Sequence, residues 1–399
     1  MLRTFRYPLH PTAAQGATLV SWLGTCQQLY NADLQHRRDF WEHEKQQRQA
    51  ALDRGIKRSH ARSVTYKSQT AELTALRQSD PAWLGAVPVE IERSALRRCD
   101  RAFKGFFSRA KKGQTPGFPR FRSRDRYDSF DMGRVAPEDD DARGTRSAHV
   151  SVPKLGLVKF NEYRPLKGKV RSTSIRRDAG RWYVCFSCDV GAAPERVPAL
   201  RAVENVVGID FGLYSLIATS DGETVDAPRH FRKGEEQLAM RQQRVSRRFK
   251  RGKKQSAGYR TAKLLVAKAH AHVRQQRLDT ARKLAAILVA KYDVIAMEDL
   301  NVKGLAGGML AKSVNDAAWG VLRHAITCKA ESAGRWCVLV DPRGTSQRCS
   351  RCGNTVEKDL SVRVHACDRC GYIADRDVNA ALNVKTLGRS AVLAQAVAT

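Results

Sequence analysis

The stretch Val206-Val-Gly-Ile-Asp210-Phe-Gly-Leu-Tyr-Ser-Leu-Ile-Ala-Thr-Ser-Asp-Gly222 carries the strongest fold signal in the chain. Two apolar runs flank a short turn, which is the pattern of a β-hairpin with buried strands. Asp210 stands inside the first run, between Ile209 and Phe211. A buried carboxylate is costly unless donors or a cation satisfy it. The pattern therefore predicts that Asp210 has a role beyond the fold.

Two more acidic segments follow far along the chain. The segment Tyr292-Asp-Val-Ile-Ala-Met-Glu-Asp-Leu300 has the pattern of another buried strand. The strand pattern within it ends in Glu298. The segment Asp375-Arg-Asp-Val-Asn-Ala-Ala-Leu-Asn383 opens a helix with the acid pair Asp375 and Asp377. Taken alone, Asp210 could form a turn, Glu298 could be a surface charge, and either aspartate of the pair could be an ordinary N-cap. Spacing does not choose between Asp375 and Asp377.

These acids stand at element ends, so we expect them to converge. A cluster of carboxylates is what two Mg²⁺ ions, about 3.5 to 4 Å apart, need to activate water and stabilise the leaving oxygen of a phosphodiester. Mg²⁺ prefers such oxygen ligands. The sequence therefore predicts a metal-dependent nuclease site.

Four cysteines form two C-x-x-C pairs separated by 14 residues: Cys349, Cys352, Cys367 and Cys370. A glycine follows each pair and permits a tight turn. This spacing predicts one structural Zn²⁺ in a ribbon. Cys185 and Cys188 share the spacing but lie in an alternating strand pattern without a second pair, so we expect them to be packing residues. The same expectation covers Cys26, Cys99, Cys328 and Cys337.

The charge of the chain points to a polyanionic partner. Of its 399 residues, 71 are Lys or Arg and 40 are Asp or Glu, which gives a formal net charge of +31. The excess is spread along the sequence, so a nucleic acid that touches much of the surface is expected. No apolar run reaches the roughly 18 residues of a membrane span, and the first residues lack a signal-peptide pattern. We therefore expect a cytoplasmic protein without membrane contact, in a reducing compartment that favours metal ligation by cysteine.

The order of these features, together with several shorter motifs, resembles the TnpB family of transposon-encoded RNA-guided nucleases, which is related to type V CRISPR effectors. The shared order is G-I-D-F-G, a basic helical insert, A-M-E-D-L-N, D-A-A-W-G at Asp316 to Gly320, a split four-cysteine ribbon and D-R-D-V-N-A-A. The amino-terminal half agrees through Y-P-L-H-P-T-A-A-Q from Tyr7, W-L-G-A-V-P from Trp83 and G-F-P-R-F-R from Gly117. The resemblance covers nearly the whole chain.

The resemblance implies an α/β multidomain fold. It implies an RNase H-like RuvC nuclease domain over 196–343 and 371–399, interrupted by the zinc ribbon over 344–370. It also implies a wedge β-domain, barrel-like, over 1–12 and 115–195, with a helical recognition domain inserted over 13–114. The catalytic and Mg²⁺-binding acids become Asp210, Glu298 and Asp377, since the family motif places the acid two residues before Asn379.

The implied function is RNA-guided cleavage of DNA. The family binds a guide RNA from its own transposon, finds a short target-adjacent motif, and cuts double-stranded DNA after displacing one strand. We expect one chain per RNA and association with the prokaryotic nucleoid during targeting. A miniature CRISPR effector and an RNA-guided repressor without cleavage are the alternatives.

Candidate nucleic-acid contacts come from basic clusters. The helix around Arg93 and Arg97 corresponds in the resemblance to one that reads the adjacent DNA motif. A turn-rich basic segment follows it, and the densest cationic run precedes a long helix, where it is expected to follow a nucleic-acid backbone. These two clusters contain Lys111, Lys112, Arg120, Arg247, Arg248, Lys250, Arg251, Lys253 and Lys254.

Overall fold

A computed structural model describes residues 1–56, 63–139, 147–359 and 362–397. The chain divides into two compact units, Met1–Gly191 and Ala192–Thr399, and each is considered by itself below. Within the described residues, no helix is long and apolar enough to cross a bilayer. The finer division into four functional domains remains a prediction.

The first unit contains a seven-stranded antiparallel sheet. Its core includes Tyr7, Phe160 and Phe186, whose ring centroids lie 5.4 to 6.0 Å apart. The strand order is β2-β6-β7-β1-β5-β4-β3, so the pairing among described residues leaves β2 and β3 as the two ends and closes no barrel. The strands are β1 (Leu2–His10), β2 (Ser129–Asp131), β3 (Pro137–Asp139), β4 (Ser147–Val152), β5 (Gly156–Asn161), β6 (Lys169–Asp178) and β7 (Arg181–Asp189).

Three helices stand between β1 and β2 in the sequence: α1 (Ala13–Asp53), α2 (Tyr66–Ser79) and α3 (Val89–Lys111). Thr12 begins α1 with a reciprocal capping box to Gln15, which satisfies backbone groups at the helix start. The helices pack through apolar stripes, and the buried face of α1 includes Leu19, Leu23, Cys26 and Tyr30.

Two local features of this unit concern α3 and β3. The buried face of α3 continues through Cys99 and Phe103, whereas Ala102 and Phe106 are only partly buried. Glu138 lies inside β3, and residues 140–146 lie outside the described part of the chain.

The second unit is built on a five-stranded sheet of order β10-β9-β8-β11-β12. The neighbouring strands β8, β11 and β12 are parallel, with β12 at one edge of the sheet, and β8 and β9 form the predicted antiparallel hairpin. The strands are β8 (Val206–Phe211), β9 (Ser215–Thr219), β10 (Thr224–Asp226), β11 (Val294–Glu298) and β12 (Trp336–Val340). A separate two-stranded ribbon contains β13 (Val364–Ala366) and β14 (Ile373–Asp375).

Helices cover both faces of this sheet. One core joins Ile209 and Ile295 to residues of α6 and α9, and another joins Val206 and Ala296 to residues of α4 and α10. Because successive side chains of a strand point to opposite faces, burial on both sides explains why β8 and β11 are apolar without alternation. The helices are α4 (Ala199–Ala202), α5 (His230–Arg248), α6 (Ala257–Lys291), α7 (Val302–Leu305), α8 (Ala311–Ala317), α9 (Trp319–Ser332) and α10 (Arg376–Val397).

Glycine permits α10 to approach the sheet closely. A Cβ at Gly208 of β8 would stand 2.0 Å from the carbonyl oxygen of Ala381, and one at Gly388 of α10 would stand 2.2 Å from the Cβ of Ala296. Both separations are far below van der Waals contact, so neither position has room for a side chain. Helix α10 therefore packs closely against β8 and β11, the strands that carry Asp210 and Glu298.

Candidate acidic site and cysteine cluster

Asp210 and Glu298 lie beside one another on neighbouring parallel strands. Met297 of β11 stands opposite Ile209 of β8, so the next residues along both strands are the two acids. Asp210 is 8% exposed and Glu298 is 5% exposed. The carboxyl ends of adjacent parallel strands therefore bring together two acids that are far apart in sequence.

Asp377 joins them from the first turn of α10. It is 7% exposed, and its Oδ2 would be 3.7 Å from a Cβ placed at Gly212, just after β8. Asp375 has a different role, since its Oδ1 accepts the backbone N–H groups of Asp377 and Val378 at 2.8 and 3.2 Å. The structure thus separates the pair into an N-cap, Asp375, and a buried acid, Asp377.

The electrostatics of the site favour a bound cation. Burial, followed by the negative charges of Glu298 and Asp377, raises the pKa of Asp210 well above its ordinary value. Burial also raises the pKa of Glu298, although Thr345 donates a hydrogen bond of 2.6 Å to its Oε1. Carboxylates gathered in this way repel each other, so their charged forms need a compensating positive charge.

Arg363 supplies one such charge to the acidic site. Its Nη2 forms an ion pair with Oδ2 of Asp377 at 2.5 Å, and its guanidinium lies 5.5 Å from the ring centroid of Tyr214. Arg363 stands between the two cysteine pairs in sequence, where no spacing signal connects it to the acids. Sequence reasoning therefore missed Arg363, as it missed Thr345.

The four predicted cysteines form one cluster. Their sulfur atoms all lie within 4.8 Å of one another, with 3.7 Å between Cys349 and Cys370 and 3.6 Å between Cys352 and Cys367. A tetrahedral zinc site with Zn–S bonds of about 2.3 Å requires sulfur separations of roughly 3.8 Å. The donor set and its spacing therefore fit one Zn²⁺.

The cysteine cluster is tied to the helix that carries Asp377. Asn379 accepts the backbone N–H of Ser350 at 2.9 Å and donates to the carbonyl of Arg348 at 2.8 Å. Asn383 donates to the carbonyl groups of Thr345 and Arg348 at 2.8 and 2.7 Å. Since Asn379 and Asn383 are the asparagines of the D-R-D-V-N-A-A-L-N segment, that motif couples an acid of the site to the cysteine ribbon.

The remaining cysteines pack as expected with one exception. Cys26, Cys99 and Cys188 are buried, and Cys185 and Cys337 are partly buried. Cys328 is exposed on α9, so its interpretation as a packing residue is wrong.

The candidate nucleic-acid contacts fall into two structural groups. In the first unit, Lys111, Lys112 and Arg120 are exposed, whereas Arg97 forms an ion pair with Glu90 at 2.7 Å and Arg93 is partly buried. In the second unit, the basic run occupies the last turn of α5 and the connection to α6. Its six members are all exposed: Arg247, Arg248, Lys250, Arg251, Lys253 and Lys254.

Asp316 of the D-A-A-W-G motif is a buried structural acid. It accepts the backbone N–H groups of Phe231 and Arg232 at 2.8 and 3.2 Å, and Arg277 pairs with it at 3.1 Å. Although burial raises the pKa of Asp316, these donors outweigh burial and lower it below the ordinary value. The motif therefore caps α5 and connects it to α6 and α8, a role that the sequence did not indicate.

Family models match three parts of the chain. They are the helix-turn-helix domain of OrfB_IS605 at residues 1–46, OrfB_IS605, described as "Probable transposase", at 188–308, and the Cas12f1-like TNB domain at 319–384. Within the first match, residues 2–10 form strand β1, and residues 13–46 belong to helix α1.

Curated relatives and one solved structure extend the match over the chain. A "Putative RNA-guided DNA endonuclease" of Streptomyces pristinaespiralis is 32% identical and covers 98% of this chain and 90% of its own length. The "Putative RNA-guided DNA endonuclease InsQ" of Escherichia coli K12 is 26% identical, covering 98% and 94%. A Cas12f1-sgRNA-target DNA complex superposes with a TM-score of 0.58 at 14% identity, covering 94% of this chain and 83% of that one.

The fold is therefore the α/β fold of Cas12f-type proteins, here with a four-cysteine cluster. The chain is 32% identical to the Streptomyces protein over 98% of its own length. It therefore belongs to the TnpB family, which includes these RNA-guided DNA endonuclease relatives.

Proposed function

We propose that this chain is a Mg²⁺-dependent, RNA-guided DNA endonuclease that hydrolyses phosphodiesters at Asp210, Glu298 and Asp377. One observation carries the proposal: three acids from distant segments are buried together at the carboxyl ends of parallel strands and at a helix start. Ligand sites in open α/β sheets lie outside these strand ends. Family membership supplies the substrate class.

The acidic site fits divalent cations. Its donors are carboxylate oxygens, which Mg²⁺ prefers, and the raised pKa values of Asp210 and Glu298 show how poorly the charged forms are compensated without a cation. When bound, two Mg²⁺ ions would supply activated water and stabilise the leaving 3′ oxygen. Asp210, Glu298 and Asp377 would hold these ions through their carboxylate oxygens.

The surrounding residues position these acids. Thr345 orients Glu298 through its hydroxyl hydrogen bond, and Asp375 fixes the backbone of Asp377 by capping α10. Arg363, which pairs with Asp377, is close enough to the site to exchange that partner for a phosphate when cations neutralise the acids. These contacts hold the carboxylates of Glu298 and Asp377 in place.

One Zn²⁺ in the cysteine cluster would be structural. All four positions are occupied by protein ligands, which is typical of structural rather than catalytic zinc. Through Asn379 and Asn383, the folded ribbon would fix the start of α10 and thereby Asp377.

A guide RNA from its own transposon would select the target DNA, and cleavage would also require a short motif beside that target. Base pairing then supplies sequence specificity, so the protein needs chiefly backbone contacts with RNA, duplex DNA and the displaced strand. A net charge of +31 and an exposed basic connection after α5 suit that requirement.

The deciding experiment co-expresses the chain with its flanking genomic DNA and sequences the RNA that co-purifies in Mg²⁺-free buffer. Mg²⁺ is then added with a plasmid that matches this guide and carries a randomised flank. Cleavage that requires both the match and one flanking motif supports the proposal. Bound RNA without cleavage would favour a guided repressor, and joined rather than hydrolysed ends would favour strand transfer. A repeat array beside the gene would favour the CRISPR alternative.

A further inference from the structure

A small polar cavity adjoins the acidic site within the second unit. Its volume is about 220 Å³, which is enough for a hydrated phosphate group. The polar side chains that line it are those of Arg229, Arg232, Ser313 and Asp316, and Leu213 forms part of its wall. None of these residues belongs to the set of acids or to the basic runs described above.

Leu213 connects the cavity to the acids. It directly follows Gly212, the residue that Asp377 approaches at the end of β8. Trp319 fixes this turn because its indole N–H donates to the carbonyl of Gly212 at 3.1 Å. Consecutive Cα atoms are about 3.8 Å apart, so the cavity wall at Leu213 begins one residue after Gly212.

The cavity presents a net positive charge. The carboxylate of Asp316 accepts two backbone N–H groups and pairs with Arg277. Its negative charge is therefore balanced by Arg277, and the positive charges of Arg229 and Arg232 remain. Arg232 donates to Ser313 Oγ at 2.9 Å, which orients its guanidinium and leaves further N–H donors. Among the described residues, no hydrogen bond or ion pair engages the exposed guanidinium of Arg229.

The backbone of this segment is held in an uncommon conformation. Arg229 has φ 51° and ψ 44°, in the left-handed region, immediately before α5 begins at His230. Non-glycine residues in this region cost free energy and persist where surrounding contacts enforce them. Here Asp316 enforces the geometry by capping the first N–H groups of α5. Since those N–H groups are occupied, the arginine side chains supply the positive charge that remains for a ligand.

We propose that Arg229 and Arg232 bind one backbone phosphate of the DNA strand that enters the nuclease site, next to the phosphodiester to be cut. Guanidinium groups recognise phosphate through paired, charge-assisted hydrogen bonds. The inference rests on the proposed function, because it assigns a neighbouring position on the same substrate. Asp316 is the positioning residue of this subsite, since it holds the start of α5 through the N–H groups of Phe231 and Arg232.

The first test replaces single phosphates of a guide-matched DNA strand by neutral methylphosphonates near the cut. For the wild-type ribonucleoprotein, one substitution beside the cut is expected to lower kcat/KM about 10-fold to 100-fold, the effect of one lost charge-assisted contact. Arg229→Ala and Arg232→Ala should lose a similar factor on natural DNA. They should also become insensitive to that methylphosphonate, which a merely structural defect would not produce.

Lys233→Ala is the matched control. Lys233 is an exposed cation in the same helical turn, yet it does not line the cavity. This variant should keep both the rate and the methylphosphonate sensitivity of the wild type. Retention of co-purified RNA and an unchanged unfolding temperature would show that each variant is folded. If both arginine variants keep full methylphosphonate sensitivity, the inference is wrong.

A second measurement does not depend on cleavage. Binding of a single-stranded oligonucleotide to the metal-free ribonucleoprotein is followed by fluorescence anisotropy over a range of salt concentrations. Each lost phosphate contact should reduce the slope of log K against log salt by about 0.7. A wild-type protein that never cuts DNA would contradict the proposed function. An unchanged slope of log K against log salt in the variant lacking both arginines would contradict only the phosphate contact of Arg229 and Arg232. Competition by free inorganic phosphate as strong as that by the oligonucleotide would also overturn it.

Discussion

The Oδ1 atom of Asp375 accepts the backbone N–H of Asp377 at 2.8 Å, so one acid of the pair fixes the position of the other. Asp375 ends strand β14 and caps α10, while Asp377 lies buried beside Asp210. Two acids separated by a single residue therefore differ in burial, partners and expected consequence of mutation.

Asp377→Asn and Asp375→Asn form a matched pair of substitutions. Asp377→Asn should abolish DNA cleavage, because it removes a carboxylate from the proposed cation site and with it the ion pair to Arg363. Asp375→Asn should retain most of the activity, since Asn also caps helices well. Cleavage assays and thermal unfolding of both variants check this. Loss of cleavage in Asp375→Asn alone would reverse the two roles.

Asp210→Asn tests the electrostatic strain of the site. Burial and the two neighbouring acids raise the pKa of Asp210, so a neutral side chain should raise the unfolding temperature of the metal-free protein by a few degrees. Cleavage should be lost, and guided DNA binding should remain. The unfolding scans and a binding assay in Mg²⁺-free buffer provide the measurement. A lowered unfolding temperature would show that the Asp210 charge is compensated.

Gly208→Ala should destabilise the second unit and weaken cleavage together. The added methyl would meet the backbone of Ala381 and Lys385, and overpacking of this kind costs about 1 to 3 kcal/mol. Gly320→Ala is the control, since a Cβ there meets nothing within 4 Å and Ala favours the helix. Denaturant unfolding and cleavage rates are measured for both. Equal behaviour of the two variants would contradict the close approach of α10.

The cysteine cluster should hold one zinc ion per chain. Cys349→Ser should lose this zinc and most cleavage, because an unfolded ribbon releases Asn379, Asn383 and the start of α10. Cys185→Ser has the same motif spacing but lies on β7, so it should keep the metal. Elemental analysis of the purified proteins measures both. A zinc content that falls equally in the two variants would place the metal elsewhere.

Asp33 should make the stability of the first unit depend on pH. Burial raises its pKa to about 7 despite the nearby Arg37, from an ordinary 3.8. Because the folded state binds the proton more tightly, the stabilisation from the protonated form is full below about pH 3.8 and is lost as pH rises through 7. Asp33→Asn should therefore flatten this decline and stabilise the protein at pH 8. Asp39→Asn, an exposed acid on the same helix, is the control, and unfolding curves from pH 5 to 8 decide between them.

Much of the second unit could be predicted from sequence because its signals are local. The β8–β9 hairpin and the apolar pattern of β11 follow from side-chain periodicity, and the cysteine pairs follow from ligand spacing. The choice of Asp377 came only from the family resemblance. The capping by Asp375 that separates the two acids is a three-dimensional feature, since it depends on the side-chain direction at the start of α10.

Contacts over long sequence distances left no local signal. Arg363 reaches Asp377 across the cysteine ribbon, and Asp316 reaches the start of α5 from 84 residues away. Each residue type is ordinary in its own segment. Only the packing of the sheet and its helices brings such partners together, which is why periodicity could not reveal the cavity of Arg229 and Arg232.

The placement of Asp377 on α10 also sets when the nuclease can form during synthesis. Asp210 and Glu298 leave the ribosome with β8 and β11, but the third acid follows only after the cysteine ribbon has been translated. A chain stopped between Lys254 and Asp377 carries both basic segments without a complete set of acids. Premature termination would thus yield products that can bind nucleic acid but cannot cut it.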